Sequence, residues 1–474
     1  MTDRLDAAPL PGHPPKDGKK IHSPLLSGLI AGALVLACAA AYAVIHPQGT
    51  PAPVGDLVET LTGANPHPVK LMTPAVQPLS ALALLGRDIF YDPSLSASGT
   101  QSCASCHSPQ HDYGPPNNQA VQYGGPHMTM AGFRPPPSLA YLYRQAAFSI
   151  GPDPGETDNP TPITQLATQA QGQTRAAKTA GAAMAAPAMV PQGGMFWDGR
   201  SNTLQMQASG PMLNPVEMAN PDLPTVAAKL ARAKYAAKFK PLFGDLILQR
   251  PSLLVSEAMS AVARYQIEDP SFHRFDSKYD AWLQGKARLS PAELRGMKLF
   301  NDPAKANCGG CHLSQVTPDR LPPLFTDTQY EALGAPRNLA IPANKDPKFF
   351  DMGICGPFRT DLADQTQYCG MFLTPTLRNA ARRGVYFHNG VYHSLDQVMT
   401  FYNLRSVQPE KIYPRDASGR TQAYDDLPPQ YHANIDVKDA PFDRTPGQPP
   451  AMTAQDMNDI IAFLRTLDDG YAAH

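Results

Sequence analysis

The chain has 474 residues, a formal net charge of −1 and only 17% charged residues, so it lacks the excess of lysine and arginine that nucleic-acid binding requires. Its length allows two or three domains. Proline (51 residues) and glycine (35 residues) are abundant, which predicts a globular protein with many ordered loops.

The first predicted element is a transmembrane signal-anchor at residues 24–45. This segment is mostly apolar and uncharged, and it is about long enough to cross a bilayer as one helix. Three lysines lie shortly before it, at Lys16, Lys19 and Lys20. By the positive-inside rule, residues 1–23 form a cytoplasmic tail. The rest of the chain is then periplasmic and anchored to the inner membrane.

Three other interpretations of this segment stay open. A signal peptide would be cleaved after Ala43 in "AYA". A lipoprotein would be acylated at Cys38 in "LVLAC". A buried core helix would be neither cleaved nor acylated. The proline-rich residues 46–78 are predicted to be a linker.

A repeated stretch follows the linker. "LSALALLGRDIFYDP" (79–93) matches "LSPAELRGMKLFNDP" (289–303) at leucine, serine, glycine, phenylalanine, aspartate and proline positions. Each copy is predicted to be a helix that leads to a Cys-x-x-Cys-His sequence. The chain is therefore predicted to be a duplicated unit, with one domain at 79–285 and a second at 286–470.

Other helices are predicted from apolar spacing and capping residues. Ser290 and Glu293 form a capping box at the start of the second repeat. Residues 252–267 carry apolar side chains on one face, and Thr453 precedes a helix near the end of the chain. Because no long alternating pattern of β-strands occurs, the fold class is mostly α. Residues 151–194 are predicted to be a low-complexity insertion.

The two Cys-x-x-Cys-His sequences carry the first functional signal. A zinc half-site, a thiol–disulfide redox pair and a covalent c-type haem anchor are all compatible with one copy. Only the haem anchor uses all three residues, since both thiols bond the porphyrin and the histidine ligates the iron. Two copies in an exported chain predict two c-type haems, bound by Cys103, Cys106 and His107 and by Cys308, Cys311 and His312.

Cys355 and Cys369 have no adjacent histidine. In an oxidising compartment they are predicted to form a structural disulfide that closes a short loop. Two free thiols are the alternative.

The sequence resembles the bacterial di-haem cytochrome c peroxidase family, including its MauG-type branch. The resemblance extends from about residue 79 to 470 and rests on five blocks in the same order: "GRDIFYDPSLSASGTQSCASCH", "FWDGRSNTLQMQASGPMLNPVEM", "GMKLFNDPAKANCGGCH", "TPTLRN" and "FHNGVYHSLDQVMTFYN". It implies two cytochrome c-like domains. The N-terminal domain would react with peroxide at the His107 iron, and the C-terminal domain would transfer electrons at the His312 iron.

The resemblance also implies roles for single residues. The distal-pocket residues of the family fall on Gln207, Pro211 and Glu217. A positioned carboxylate such as Glu217 is suited to moving a proton between the two peroxide oxygens. Trp197 in "FWDGR" matches the tryptophan that carries electrons between the haems. A surface acid and a core tryptophan are the alternatives for Glu217 and Trp197.

Two further sites follow from the resemblance. His127 matches a histidine that ligates the N-terminal iron in resting family members, although a loop histidine without a metal is the alternative. One calcium ion would lie between the domains, held by backbone carbonyl groups near Arg383 and Val385. Pro135 stands where the family has an asparagine at this site.

The identity of the second axial ligand of the His312 iron distinguishes two branches of the family. Peroxidases of the family have a methionine fourteen residues beyond the histidine that matches His388, and this position is Tyr402 here. A tyrosine at this position is typical of the MauG-type branch, because an anionic oxygen stabilises high-valent iron. Met399, one helical turn earlier, is the alternative ligand, and a core tyrosine without iron is another.

The predicted function is reduction of hydrogen peroxide to water. The electron donor would be a small cytochrome c, a cupredoxin or a quinol. One alternative is a MauG-like oxidase that modifies a partner protein, and another is a di-haem cytochrome that only transfers electrons.

Overall fold

The computed structural model describes residues 52–153 and 189–472. The predicted transmembrane segment at 24–45, with its cytoplasmic tail, lies outside these residues. Within the two described ranges, no helix is long and apolar enough to span a bilayer.

Helices make up most of the regular secondary structure of the described residues, as predicted. The α-helices are α1 (Ala52–Thr62), α2 (Ala81–Phe90), α3 (Cys103–Cys106), α4 (Leu204–Leu213), α5 (Leu223–Arg232), α6 (Phe239–Phe243), α7 (Pro251–Glu268), α8 (Lys278–Leu283), α9 (Pro291–Phe300), α10 (Cys308–Cys311), α11 (Leu395–Leu404) and α12 (Ala454–Arg465). Short antiparallel strand pairs are formed by β1 (Tyr123–Gly124) with β2 (Met130–Ala131), β3 (Ser149–Pro152) with β4 (Met189–Gln192), and β5 (Tyr330–Glu331) with β6 (Phe372–Leu373).

The two largest hydrophobic clusters of the described residues form two cores. In the first, α2, α4 and α5 pack against α7, and their apolar faces bury Leu85, Phe90, Leu254, Ala258 and Val262. In the second, α9 and α11 pack against α12, and the buried side chains include Phe300, Phe325, Ile460, Phe463 and Leu464. The predicted duplication therefore corresponds to two separate helical cores.

The same glycine of the repeat permits the central helix crossing in each core. A Cβ atom at Gly86 of α2 would lie 1.8 Å from the carbonyl oxygen of Ala261 in α7. A Cβ atom at Gly296 of α9 would lie 1.9 Å from the carbonyl oxygen of Asp459 in α12. Because no side chain fits at these separations, glycine lets the two backbones touch.

The predicted helix starts are confirmed. The Ser290 side chain accepts from the Glu293 backbone N–H, and the Glu293 carboxylate accepts from the Ser290 N–H, which completes the capping box of α9. Thr453 begins α12 in the same way with Asp456, and α7 covers the predicted segment at 252–267.

The prediction of a free linker at residues 46–78 is wrong for residues 52–71. These residues form α1 and an extended segment that packs on the second core, where Leu71 is buried. Trp282 donates its indole N–H to the carbonyl oxygen of Gly63 at 3.0 Å. The proline content suggested a tether, whereas Val69 and Leu71 pack with the second core.

The predicted domain boundary at residues 285 and 286 also needs correction. Tyr279, Trp282 and Leu283 of α8 are buried in the second core, so that domain includes α8. The low-complexity insertion is narrower than the predicted 151–194, because its ends form the paired strands β3 and β4. Residues 154–188 between these strands lie outside the described part of the chain.

Candidate functional site

Each Cys-x-x-Cys-His sequence lines its own cavity. The first cavity is lined by Cys103, Cys106 and His107, and the second cavity by Cys308, Cys311 and His312. In both motifs the cysteines lie on a single helical turn, α3 or α10, and the histidine directly follows that turn. The motifs therefore present two thiols and one imidazole to one cavity.

Backbone carbonyls orient both imidazoles. His107 Nδ1 lies 3.2 Å from the carbonyl oxygen of Tyr113, and His312 Nδ1 lies 2.9 Å from that of Phe325. Since a carbonyl only accepts, Nδ1 carries the proton and Nε2 keeps a free lone pair. Burial lowers the pKa of both histidines to about 4. Both imidazoles are therefore neutral at pH 7 and able to ligate a metal.

These donor sets fit a c-type haem better than the alternatives. None of the four motif cysteines takes part in a disulfide, so their sulfur atoms can form thioether bonds. Within residues 52–153 and 189–472, no group of three or more histidine, cysteine, aspartate or glutamate side chains forms a metal site, whereas structural zinc needs four such ligands. The second cavity also has a largely apolar wall that includes Phe300, Phe387 and Leu464, which suits a porphyrin.

The first cavity brings together the three predicted distal residues. Gln207 and Pro211, four residues apart on α4, and Glu217 beyond its end all line the cavity that contains His107. Gln207 is buried, with 7% of its surface exposed. The sequence order of these residues did not by itself require this convergence.

The Glu217 carboxylate is held in place and partly desolvated. Asn214 donates its amide N–H to Glu217 Oε1 at 2.8 Å. Burial raises the pKa of Glu217, while the positive charge of Arg200 and the hydrogen bond from Asn214 oppose this shift. A raised pKa brings a carboxyl group closer to neutral pH, where it can both accept and donate a proton.

Trp197 lies between the two cavities and lines both of them. Its indole N–H donates to the carbonyl oxygen of Pro135 at 3.0 Å, and its own carbonyl accepts from the backbone N–H of Leu373 in β6. Hydrogen bonds from both domains thus hold the predicted electron bridge.

The sequence analysis missed a buried ion-pair network beside this tryptophan. Arg134 pairs with Asp198 at 2.8 Å and with Asp351 at 2.6 Å, and Arg200 pairs with Asp198 at 2.9 Å. Asp198 is fully buried. The block "FWDGR" contains two of these residues, but their partners are distant in the sequence, so only the folded chain reveals the network.

The second cavity contains both candidate axial ligands. Tyr402 and Met399 of α11 line its wall together with His312. The Tyr402 ring stacks on Phe442 with ring centroids 5.2 Å apart. Burial raises the pKa of Tyr402, so the phenol stays protonated unless a metal binds its oxygen.

The structure also locates the residues of three other predicted sites: the His127 ligand, the calcium site and the disulfide. His127 is exposed and does not line the first cavity, so the structure does not bring it to His107. Pro135, Arg383 and Val385, which mark the predicted calcium site, line the second cavity. Cys355 and Cys369 form a disulfide with Cα atoms 5.0 Å apart.

Comparison with known proteins gives consistent matches. The family model described as di-haem cytochrome c peroxidase matches residues 80–288. The methylamine utilization protein MauG of Paracoccus denitrificans is 35% identical over 343 residues, which are 70% of this chain and 78% of that protein. The cytochrome c551 peroxidase of Nitrosomonas europaea is 26% identical and covers 76% of this chain and 82% of its own length.

A solved structure shows a similar fold. The crystal structure of the diheme peroxidase BthA from Burkholderia thailandensis E264 aligns with a TM-score of 0.70 and 34% identity. The alignment covers 85% of this chain and 89% of that chain.

Proposed function

The chain belongs to the di-haem cytochrome c peroxidase family, which includes the MauG proteins, and from this premise we propose that it reduces hydrogen peroxide to water in the first cavity. Family membership implies two c-type haems. The residues that would hold them are Cys103, Cys106 and His107 in the first cavity and Cys308, Cys311 and His312 in the second. Each haem, when bound, supplies an iron that exchanges electrons.

Glu217 is the proposed proton carrier. Cleavage of hydrogen peroxide to water requires a proton to leave one oxygen and reach the other. The Glu217 carboxylate is fixed by the 2.8 Å hydrogen bond from Asn214 and lies in the same cavity as His107. It would accept the first proton and return it to the departing oxygen. Gln207 would orient the peroxide, and Pro211 would restrict the space beside it.

Trp197 is the proposed route for electrons from the second cavity to the first, because it lines both. The external donor would be a small cytochrome c, a cupredoxin or a quinol. A periplasmic location, with an N-terminal membrane anchor, accords with the disulfide between Cys355 and Cys369, since structural disulfides form in oxidising compartments.

The observation that carries this proposal is the convergence of Gln207, Pro211 and Glu217 on the cavity of His107. A cytochrome that only transfers electrons has no need for an acid beside its metal. The test is peroxide consumption by purified protein matured with c-type haem, with each donor class supplied in turn. A chain with two covalent haems that consumes no peroxide with any donor would contradict the proposal.

A second candidate function is favoured by Tyr402. Its position on the wall of the second cavity beside His312 fits a tyrosine-ligated iron, which supports a MauG-like oxidase that modifies a partner protein. Both functions share the first cavity and differ in the second. The substitution at Tyr402 described below tests the ligand on which this second candidate rests.

A further inference from the structure

Tyr113 lies beside the histidine of the first cavity. Its backbone carbonyl accepts the His107 Nδ1–H at 3.2 Å, and its side chain is 2% exposed. The phenol ring stacks on Phe272 with ring centroids 3.6 Å apart. A short path of bonds therefore joins this buried phenol to the imidazole that would ligate the first iron.

The Tyr113 hydroxyl begins a hydrogen-bonded relay. Its oxygen lies 2.5 Å from Ser271 Oγ, and the Ser271 hydroxyl donates to Asp269 Oδ1 at 2.6 Å. A serine has one hydroxyl proton, and this proton is directed to Asp269, so Tyr113 must donate in the first hydrogen bond. Ser271 is exposed and Asp269 is partly exposed, so the relay runs from a buried phenol to a carboxylate at the surface.

This arrangement suits one-electron chemistry at the phenol. Loss of an electron makes a phenol O–H strongly acidic, and a buried tyrosine is therefore oxidised readily only where a hydrogen-bonded group can take its proton. The Ser271–Asp269 relay provides such a group within hydrogen-bonding distance. Tyr113 differs from other buried tyrosines with an acceptor in that its backbone carbonyl also contacts His107.

Aromatic rings continue from Tyr113 to the surface. The Tyr113 side chain is hydrogen-bonded to that of Tyr265, and Phe272 contacts both rings, with centroid distances of 3.6 Å to Tyr113 and 5.2 Å to Tyr265. The Tyr265 ring is 6.5 Å from that of Tyr91, and Tyr91 is 43% exposed. These contacts connect the buried phenol to solvent without passing through Trp197 or the second cavity.

We propose that Tyr113 is a redox-active residue that gives one electron to the centre at His107 and its proton, through Ser271, to Asp269. The inference rests on the proposed function, because hydrogen peroxide is the oxidant. Reduction of hydrogen peroxide to two waters takes two electrons and two protons. Tyr113 supplies one electron, the haem-loaded second cavity supplies the other through Trp197, and both protons come from solvent. Its O–H bond breaks, its proton moves to Ser271 Oγ, and the Ser271 proton moves to Asp269.

The step leaves a neutral tyrosyl radical at Tyr113. An external reductant at the exposed Tyr91 would return the missing electron through Tyr265, and Asp269 would return the proton. The first cavity would then have an electron route of its own, which protects it from excess oxidation when the second cavity cannot deliver electrons.

The test uses the full chain with both haems, mixed with one equivalent of hydrogen peroxide in the absence of reductant and frozen for electron paramagnetic resonance. We expect a tyrosyl signal that narrows when the tyrosines are ring-deuterated. Tyr113→Phe keeps the stacked ring and should lose this signal. Tyr235→Phe is the matched control, since Tyr235 is also buried and donates to a carboxylate, that of Asp92, at 2.7 Å. It should keep the signal.

Ser271→Ala tests the relay without altering the tyrosine, and it should reduce the yield of the signal. A signal of parental intensity in Tyr113→Phe overturns the inference, as does a parent that reduces peroxide without forming any tyrosyl signal. A parent that leaves peroxide unreduced refutes the proposed function instead. In that case the protein is treated with a chemical one-electron oxidant in place of peroxide. The tyrosyl signal should again form in the parent and be lost in Tyr113→Phe.

Discussion

Glu217 is one residue on which the proposed proton transfer depends. Glu217→Gln keeps the size of the side chain and its hydrogen-bonding ability but removes the proton acceptor. We expect peroxide reduction to fall about 100-fold or more, while both haems still bind and reduce normally. Steady-state peroxide consumption and a pyridine haemochrome count measure the two effects. Glu257→Gln on α7, outside both cavities, is the control, and a parental rate for Glu217→Gln would show that Glu217 is only structural.

Asn214, like Arg200, lowers the pKa of Glu217 against the effect of burial. Its amide donates to the carboxylate and therefore favours the ionised form, which opposes the rise in the pKa of Glu217 caused by burial. In Asn214→Ala this opposition is lost, so the pKa rises further and a larger fraction of Glu217 is protonated at a given pH.

We therefore expect the rate of peroxide reduction in Asn214→Ala to fall at a higher pH than in the parent as the solution is acidified. The acid limb of the kcat/KM profile measures this shift. Asn434→Ala is the control, because it removes an amide that donates to backbone carbonyls in the second domain. It should not shift the acid limb of the kcat/KM profile. An unmoved limb in Asn214→Ala would show that Glu217 does not control the rate.

Tyr402 and Met399 compete for one axial position in the second cavity. We predict that the Tyr402 oxygen is the ligand. Tyr402→Met should then raise the midpoint potential of the second haem and shorten any long-lived high-valent state, because a thioether favours ferrous iron. Met399→Leu should change neither property. Redox titration and optical spectra provide the measurements.

Methionine ligation of the second haem would give the opposite result. If Met399→Leu removes the axial ligand, with loss of a sulfur-to-iron charge-transfer band that the parent shows, the second haem is methionine-ligated. This result would remove the observation that favours a MauG-like oxidase.

At the scale of the elements, each domain depends on a close contact between two helices. Gly86 and Gly296 occupy equivalent positions of the repeat and let α2 touch α7 and α9 touch α12. An added methyl group would lie within 2 Å of a backbone carbonyl oxygen at either position, and backbone atoms cannot give way as a flexible side chain can.

We expect Gly86→Ala and Gly296→Ala each to lower the free energy of unfolding by about 1–3 kcal/mol, the usual cost of overpacking. Chemical denaturation of the haem-loaded protein measures the change. Gly210→Ala on α4 is the control, because its Cβ would meet only the ring of Phe196 at 3.3 Å, and it should be neutral or stabilising by up to about 1 kcal/mol. Equal effects at all three positions would contradict the close-contact explanation.

At the scale of the whole molecule, Arg134 links the two domains. It pairs with Asp198 of the first domain and Asp351 of the second, and both carboxylates are buried. Arg134→Met would leave these two carboxylates without their shared cation. We expect a destabilisation of about 3–5 kcal/mol, the typical cost of breaking a buried pair.

Thermal unfolding and the rate of electron transfer between the haems measure the consequences of Arg134→Met. Arg382→Met is the control, because Arg382 is 45% exposed and its ion pairs are long, 3.5 Å to Asp112 and 3.8 Å to Asp468. It also donates to the backbone carbonyl of Asp469. Its loss should cost less than about 1 kcal/mol. If both substitutions have the same small effect, the network does not hold the domains together.

The sequence by itself determined the two Cys-x-x-Cys-His motifs, the duplicated helix before each of them, the helix caps and the family. Each of these features depends on the spacing of neighbouring residues, and a local pattern is complete within a short stretch of chain. The glycine of the repeat was visible too, although its role in a helix crossing was not.

Only the tertiary structure decided which distant residues meet. It brought Glu217 to the cavity of His107 and Trp197 to both cavities, and it left His127 exposed. It also packed residues 52–71 and α8 on the second core, contrary to the predicted linker and boundary. The Arg134 network and the Tyr113 relay join residues that are far apart in the sequence. Such contacts depend on how the helices and loops pack, which no local spacing specifies.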